Sequence, residues 1–419
     1  MSNVETLQWK PLPWRIRKCL RSKRMTRWFL GKRRFLLRPA SGHQGIQPAT
    51  QDIELLPQTI LARRNPFVTV GDPEILLCAR QEDNIHPPVK LSRLQSVCVS
   101  SLSNLIYSGK FAIHGNIVSL ESDRLPEEYQ AGVHVDVTQQ TLTKIELPVH
   151  LHRLPEAVSL LDATATNYAH WLTEILPKAA IWSELVGRPL VPLLVDAGLH
   201  PNQMRALELV VPPEQSILLV PRSQIVEVSR LHYLSSPGHI PFEPRASDGF
   251  PRSHGTFSAG ALSLLIGAVK RRLNLRDDDP QEGYLYVRRN SRVRNIINQV
   301  ELDAFVAKQG WTVVAPEGLS FDDQVRLFHR AKMVFGATGA AMANLIFARP
   351  GCRVAVMMSA HPATPYFYWH NLADSLGVHV EYILCEPESG SPDGVHSNFM
   401  APVAGIAKAY AHDRIALMM

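Results

Sequence analysis

Residues 320–358 read SFDDQVRLFHRAKMVFGATGAAMANLIFARPGCRVAVMM, and the fold class follows from this stretch. Ser320 and Asp323 form a capping pair that opens a helix over 320–331. The apolar run over 333–336 is a strand, the small residues that follow turn the chain into a second helix over 340–347, and 354–358 is another apolar strand. Strands that are continuously apolar, alternating with helices, indicate parallel βαβ units covered on both faces.

The same alternation extends upstream. A helix over 257–273, a strand over 284–287, a helix over 299–308 ended by Gly310 and a strand over 311–314 complete one α/β half. Residues 236–256 are rich in Pro, Gly and Ser and read as a linker. Before them lies a second alternation: strand 158–161, a helical stretch 167–185 interrupted at Pro177, strand 190–195, helix 201–210 and strand 217–220. Short β-like runs over 97–99, 111–113, 117–120 and 133–137 precede it, after an irregular, Pro-rich segment over 40–90. The expected architecture is therefore α/β, with two Rossmann-like domains facing a cleft. Residues 40–250 form the N-terminal domain, 251–400 the C-terminal one, and 401–419 a tail or helix.

Composition narrows the class further. The chain of 419 residues is 45% hydrophobic and 20% charged, which excludes a largely disordered or fibrous protein. No apolar run approaches the length needed to span a bilayer, and the N-terminus lacks the apolar segment of a secretory signal. Cys19, Cys78, Cys98, Cys352 and Cys385 are widely spaced, which fits a reducing compartment better than a disulfide framework or a zinc cluster. Charge is concentrated at one end: residues 1–39 hold 12 of the 44 Lys and Arg residues against one acid, Glu5. Trp9, Trp14, Trp28, Phe29 and Phe35 are interleaved with them. Such a basic arm is read as irregular; it suits an anionic membrane surface, a solvated tail or nucleic acid, and no downstream motif supports the last.

Candidate chemistry collects at strand ends. Gly336, Ala337, Thr338, Gly339 and Ala340 open a helix containing Asn344, where small residues admit a ligand to backbone N–H groups or else serve close packing. Arg288 and Arg289 end a strand, with Arg292 and Arg294 in the next loop, and guanidinium groups suit phosphate oxygens. Glu317, ending the following strand, can accept from ribose hydroxyls or help cap the next helix. Asp162 ends a strand in the first half, and Asn167 opens a helix on which His170 and Glu174 are four apart and share a face, a pairing that can make a general base. The chain has no GxxxxGK[ST], HExxH or GxSxG motif, and Asp277, Asp278 and Asp279 read as a solvated turn.

Three blocks taken in order, NYAHWLTEILPKAAIW (167–182), YVRRNSRVRNIINQVEL (286–302) and PEGLSFDDQVRLFHRAKMVFGATGAAMANLIFARPG (316–351), resemble glycosyltransferase family 61. The likeness covers roughly residues 160–385. It implies an inverting, nucleotide-sugar-dependent enzyme of the two-domain arrangement called GT-B, with the donor in the C-terminal domain and no metal or other cofactor. The family includes bacterial capsular-polysaccharide proteins, plant xylan-decorating transferases and eukaryotic O-GlcNAc transferases. The expected setting is capsular or extracellular polysaccharide synthesis on a glycan or lipid-linked acceptor, in the cytoplasm, with residues 1–39 offering peripheral attachment to the inner face of a membrane. Carried over by position, Arg288, Arg294, Glu317, Gly336, Thr338, Gly339 and Ala340 form the donor site with Asn344 close by. His170 is the base, oriented by Glu174, with Asn167 beside it and Asp162 in reserve. Many members have a histidine where this chain has Thr338, and an Asn-Glu pair where it has Asn298-Gln299. A catalytically silent nucleotide- or glycan-binding component of a polysaccharide assembly complex is the alternative, and a polysaccharide pyruvyltransferase a more distant one.

Overall fold

The computed structural model describes residues 3–7, 31–38, 52–62, 66–78, 84–117, 128, 132–136, 138–146, 151–222, 224–240, 255–291, 293–361, 364, 366–388 and 397–410. It divides into two units, Met1–Gln58 with Pro87–Pro244, and Thr59–His86 with Arg245–Met419. Residues 59–86, expected in the N-terminal domain, thus belong with the C-terminal one. Most of the expected linker, residues 241–254, lies outside the described residues.

The first unit is built on one sheet. Its strands are β1 (Asn3–Thr6), β2 (Gly31–Arg38), β3 (Ile53–Leu56), β7 (Val89–Ser100), β8 (Leu105–Ser108), β9 (Phe111–His114), β10 (Val133–Asp136), β11 (Thr141–Glu146), β12 (Leu151–Ser159), β13 (Leu193–Asp196), β14 (Ser216–Val220) and β15 (Ile225–Leu234). The order is β1-β14-β13-β12-β15-β7-β8-β9-β2-β11-β10, with β3 beside β7. The β1-to-β15 half is parallel and the rest chiefly antiparallel. A two-residue strand, β16 (Gly238–His239), follows β15. Leu94, Val97, Ala157, Leu194, Val226 and Leu231 form the core of the parallel half.

The expectation of an irregular arm fails wherever the arm is described. Asn3–Thr6 pairs as an edge strand with β14. Gly31–Arg38 lies between β9 and β11, and its alternation places Phe35 and Leu37 in a core with Tyr107, Val133 and Leu142. Residues 8–30, with Trp9, Trp14, Trp28 and Phe29 among them, lie outside the described residues.

Helix α1 corrects a second expectation. It runs without a break through Tyr168–His170, Trp171–Ile175, Leu176–Ile181 and Trp182–Val186 and ends at Gly187 in the left-handed region. Proline lacks an N–H and ordinarily breaks a helix interior. Here the Trp171–Ile175 turn is π-helical, Leu176 N–H bonding Trp171 C=O five residues back. Pro177 then falls at the first turn of the next α segment, where no donor is required. Helix α2 (Pro201–Val210) leads from β13 to β14.

The second unit contains β4 (Thr59–Leu61) paired with β6 (Asn84–His86), and β17 (Thr256–Phe257). Its main sheet has β5 (Phe67–Val70), β18 (Tyr284–Val287), β19 (Thr312–Val314), β20 (Met333–Ala337), β21 (Arg353–Ser359), β22 (His379–Pro387) and β23 (Phe399–Met400). The order is β19-β18-β20-β21-β22-β23, parallel from β19 to β22, with β5 beside β22. Its helices are α3 (Ala259–Leu273), α4 (Gln299–Gln309), α5 (Phe321–Arg330), α6 (Phe367–Asp374) and α7 (Val403–Tyr410). Ser320 caps α5 as expected, its hydroxyl accepting from Asp323 N–H. Residues Ala340–Phe347 form a 3₁₀ helix rather than the expected α-helix. Both units are mixed α/β, compatible with Rossmann-like halves.

Candidate active site

In the second unit the chain leaves β18 for α4 and β19 on one side, and β20 then lies on the other. The crevice at the carboxyl ends of β18 and β20 is therefore a topological switch point, where open α/β sheets bind ligands. Arg288 and Arg289 follow β18, and Gly336 lies opposite Val287 with the small residues next in sequence.

The two glycines of the turn have different causes. A Cβ on Gly336 would lie 2.9 Å from Val287 Cβ and 3.0 Å from Met342 Sδ, so Gly336 serves strand packing. A Cβ on Gly339 would lie 1.7 Å from an Arg289 guanidinium nitrogen, so Gly339 leaves room for that guanidinium. Arg289 is also held by Val293 C=O at 3.0 Å and Ser291 Oγ at 2.9 Å. Burial and the like charge of Arg294 lower its pKa to about 10, with Glu317 alone opposing them. A partly buried cation repelled by a second one favours an added anion.

Period-two alternation sends Arg288 the other way. Its guanidinium pairs with Asp303 of α4 at 3.1 Å, on the face where Gln299 donates to Tyr286 Oη and to Asp303. The structure thus places Arg289, not the expected Arg288, over the glycine turn. Glu317 is exposed in the short 3₁₀ turn Pro316–Gly318. Thr338 is buried; its Oγ1 accepts from Trp369 Nε1 at 3.0 Å and its N–H bonds Met357 C=O. Ala340 begins the 3₁₀ helix. Asn344, expected near the donor, is fully buried and donates to Gln324, which in turn donates to Pro316 and Leu319 C=O. Its place is structural: it fixes the loop that carries Glu317. Asn298 likewise clamps Ala401 through two hydrogen bonds. Asp277 and Asp278 pair with Lys270 and Arg276, and Asp279 accepts from Arg276 N–H, as suits a polar turn. A cavity of about 380 Å³ lies at the opposite, amino end of β22, by Phe67, His370 and Asp374.

The first unit repeats the topology. From β12 the chain passes through α1 and α2 to β13 and β14 on one side, and β15 lies on the other. Asp162, Asn167 and the start of α1 follow β12 at this second switch point. His170 Nδ1 lies 2.6 Å from Glu174 Oε1, and both side chains are largely buried. Burial alone would lower the histidine's pKa, but Glu174 and Asp162 outweigh it and raise it. Burial in turn raises that of Glu174, against the pull of His170. The arrangement fixes one imidazole nitrogen against a carboxylate, a pairing that can orient a general base.

Asp162 is less accessible than the sequence suggested. It is buried, accepting from Asn104 Nδ2 at 2.6 Å and from Thr164 N–H and Oγ1 at 2.8 and 2.6 Å, while its own N–H bonds Asp196. Its acceptor capacity goes to shaping the loop. Asn167 caps α1 by accepting from Ala169 N–H.

Arg289 was named beside Arg288 at the end of β18, but the sequence did not single it out for the turn, and Lys178 escaped the reading altogether. Lys178 stands four residues beyond Glu174, buried on the same helix, and the four-residue repeat was its signal.

The molecule is thus an α/β protein with a cationic turn at one switch point and a histidine–carboxylate pair at the other. The family model described as Glycosyltransferase 61 matches residues 168–355, from α1 into the start of β21 and a little under half of the chain. Over that segment the chain is similar to glycosyltransferase family 61, a family of transferases that take a sugar donor and an acceptor. No curated protein matches the chain.

Proposed function

We propose that this protein is an inverting glycosyltransferase that moves a sugar from a nucleotide-sugar donor to a glycan or lipid-linked acceptor in capsular or extracellular polysaccharide synthesis. The two units are read as the donor and acceptor halves of a GT-B enzyme. The observation that carries the reading is Arg289 lying over Gly339 at the switch point of the second sheet. A nucleoside diphosphate develops negative charge as it leaves, and Arg289 with Arg294 supplies fixed positive charge where backbone can also approach. On this reading guanidinium groups do the work that other transferases give to a metal. His170 takes the acceptor hydroxyl's proton as its oxygen bonds the anomeric carbon, and the bond to the diphosphate breaks in the same displacement. Glu174 holds the imidazole and stabilises its charged form. The protein is read as cytoplasmic and peripheral on the inner membrane face through its basic N-terminal segment.

The catalytically silent reading keeps one observation in its favour. The Thr338 hydroxyl is buried against Trp369, so the residue where many members have histidine supplies no cation.

A thermal-shift screen against UDP, GDP, CMP and their sugars, with and without EDTA, tests the proposal, since a ligand of the folded state raises its melting temperature. A selective shift that EDTA does not alter is expected; no shift with any nucleotide for a folded sample contradicts the reading. His170→Ala should retain nucleotide binding and lose transfer by about 100-fold or more. Loss of both would move His170 to the donor site.

A further inference from the structure

His170, Glu174 and Lys178 occupy every fourth position of α1. On a regular helix of 3.6 residues per turn such a repeat drifts around the axis. The wider π-turn at Trp171–Ile175 counters the drift, so the three side chains stay on one buried side of α1. Glu174 and Lys178 are 3% and 7% exposed, and Asp162 is 2% exposed. Lys178 also lines a small cavity with Ser103, Asn104, Gly115, Ser159 and Tyr233, and the same Asn104 donates to Asp162 Oδ2.

Two carboxylates, Asp162 and Glu174, act on His170, and both also act on Lys178. Among the described residues, the other titratable groups facing this set are Asp196 next to Asp162, Tyr233 of β15 and His239 of β16, the last acting on Glu174. A buried charge is tolerated only when paired. Two buried anions with no cation besides His170 would lock the imidazole in its protonated form, useless as a base.

We propose that Lys178 is a positioning residue whose buried ammonium balances Asp162 and Glu174, so that His170 can give up its proton. This rests on the reading of His170 as the base. Burial pulls the Lys178 pKa down while the two carboxylates hold it up, and its effect on His170 is through charge, without contact with substrate.

The test is the titration of His170, followed by imidazole NMR in the full chain, for wild type, Lys178→Met and Lys178→Arg. Removing the positive charge should raise the His170 midpoint by about one pH unit or more. Lys178→Arg should leave the midpoint where it was. An unmoved midpoint in folded Lys178→Met overturns the proposal. Should that variant not fold, the nitrogen NMR signal of Lys178 in wild type decides: an ammonium at pH 7.5 supports the proposal and a neutral amine overturns it. The pH profile of transfer separates this inference from its premise. A midpoint that moves, with the acid limb of transfer moving with it, supports both. A midpoint that moves while the limb stays fixed supports the role of Lys178 and removes His170 as the base.

Discussion

At the scale of single residues, neighbours in sequence have different employments, and the pleat decides which. Arg288 and Arg289 are indistinguishable in composition, yet one pairs with Asp303 and the other lies over Gly339. The sequence showed that arginines end this strand. It did not show which faces the turn, because that depends on where the alternation begins relative to the core. Gly336 and Gly339 form a similar contrast. Gly336→Ala pushes a methyl into Val287 and Met342, an overpacking that should cost about 1–3 kcal/mol of stability. Gly339 is extended, with φ 164°, so alanine is compatible with its backbone and only displaces the end of a flexible side chain. Gly339→Ala should melt close to wild type but bind nucleotide weakly. Paired melting and binding measurements on the two variants check this, and equal stability losses would undo the distinction.

At the scale of elements, the β/α alternation from 257 to 358 was legible because buried parallel strands and amphipathic helices have distinct periods. Tyr284–Val287 fell where expected, and β19, α5 and β20 within a residue or two. The unbroken α1 was hidden because a π-turn that admits Pro177 has no signature in composition. Strand β2 was hidden by its charge: Lys32, Arg33 and Arg34 read as a basic tail, while Phe35 and Leu37 carry the core pattern. Deleting residues 1–39 would therefore remove two strands; truncating Phe35 alone to Ala should cost about 3–5 kcal/mol. The membrane reading is better tested by Lys32→Gln with Arg34→Gln, on the exposed face of β2. These changes should leave melting unaltered while weakening sedimentation with anionic vesicles, and unchanged sedimentation would count against a contribution from this strand.

At the scale of the whole molecule, each unit has a run of parallel strands extended by other strands, and each has its candidate residues at the switch point of that run. That coincidence argues that the sites are built by topology. The sequence placed candidate residues in the loops that the structure puts at both switch points. It erred on Asp162 and Asn344, where a polar side chain at a strand end or helix proved to be satisfied internally. Burial and hydrogen-bond saturation are tertiary properties, and no local pattern reports them.

On the proposed function, the second unit binds a nucleoside diphosphate through Arg289. The most direct measurement is calorimetric titration of the nucleotide found in the thermal screen into wild type, Arg289→Ala and Arg288→Ala. A charged hydrogen bond contributes about 1.5–3 kcal/mol, so Arg289→Ala should weaken binding about tenfold or more. Arg288→Ala should stay within about threefold, because its partner is Asp303. Equal losses, or a loss confined to Arg288→Ala, would contradict the account.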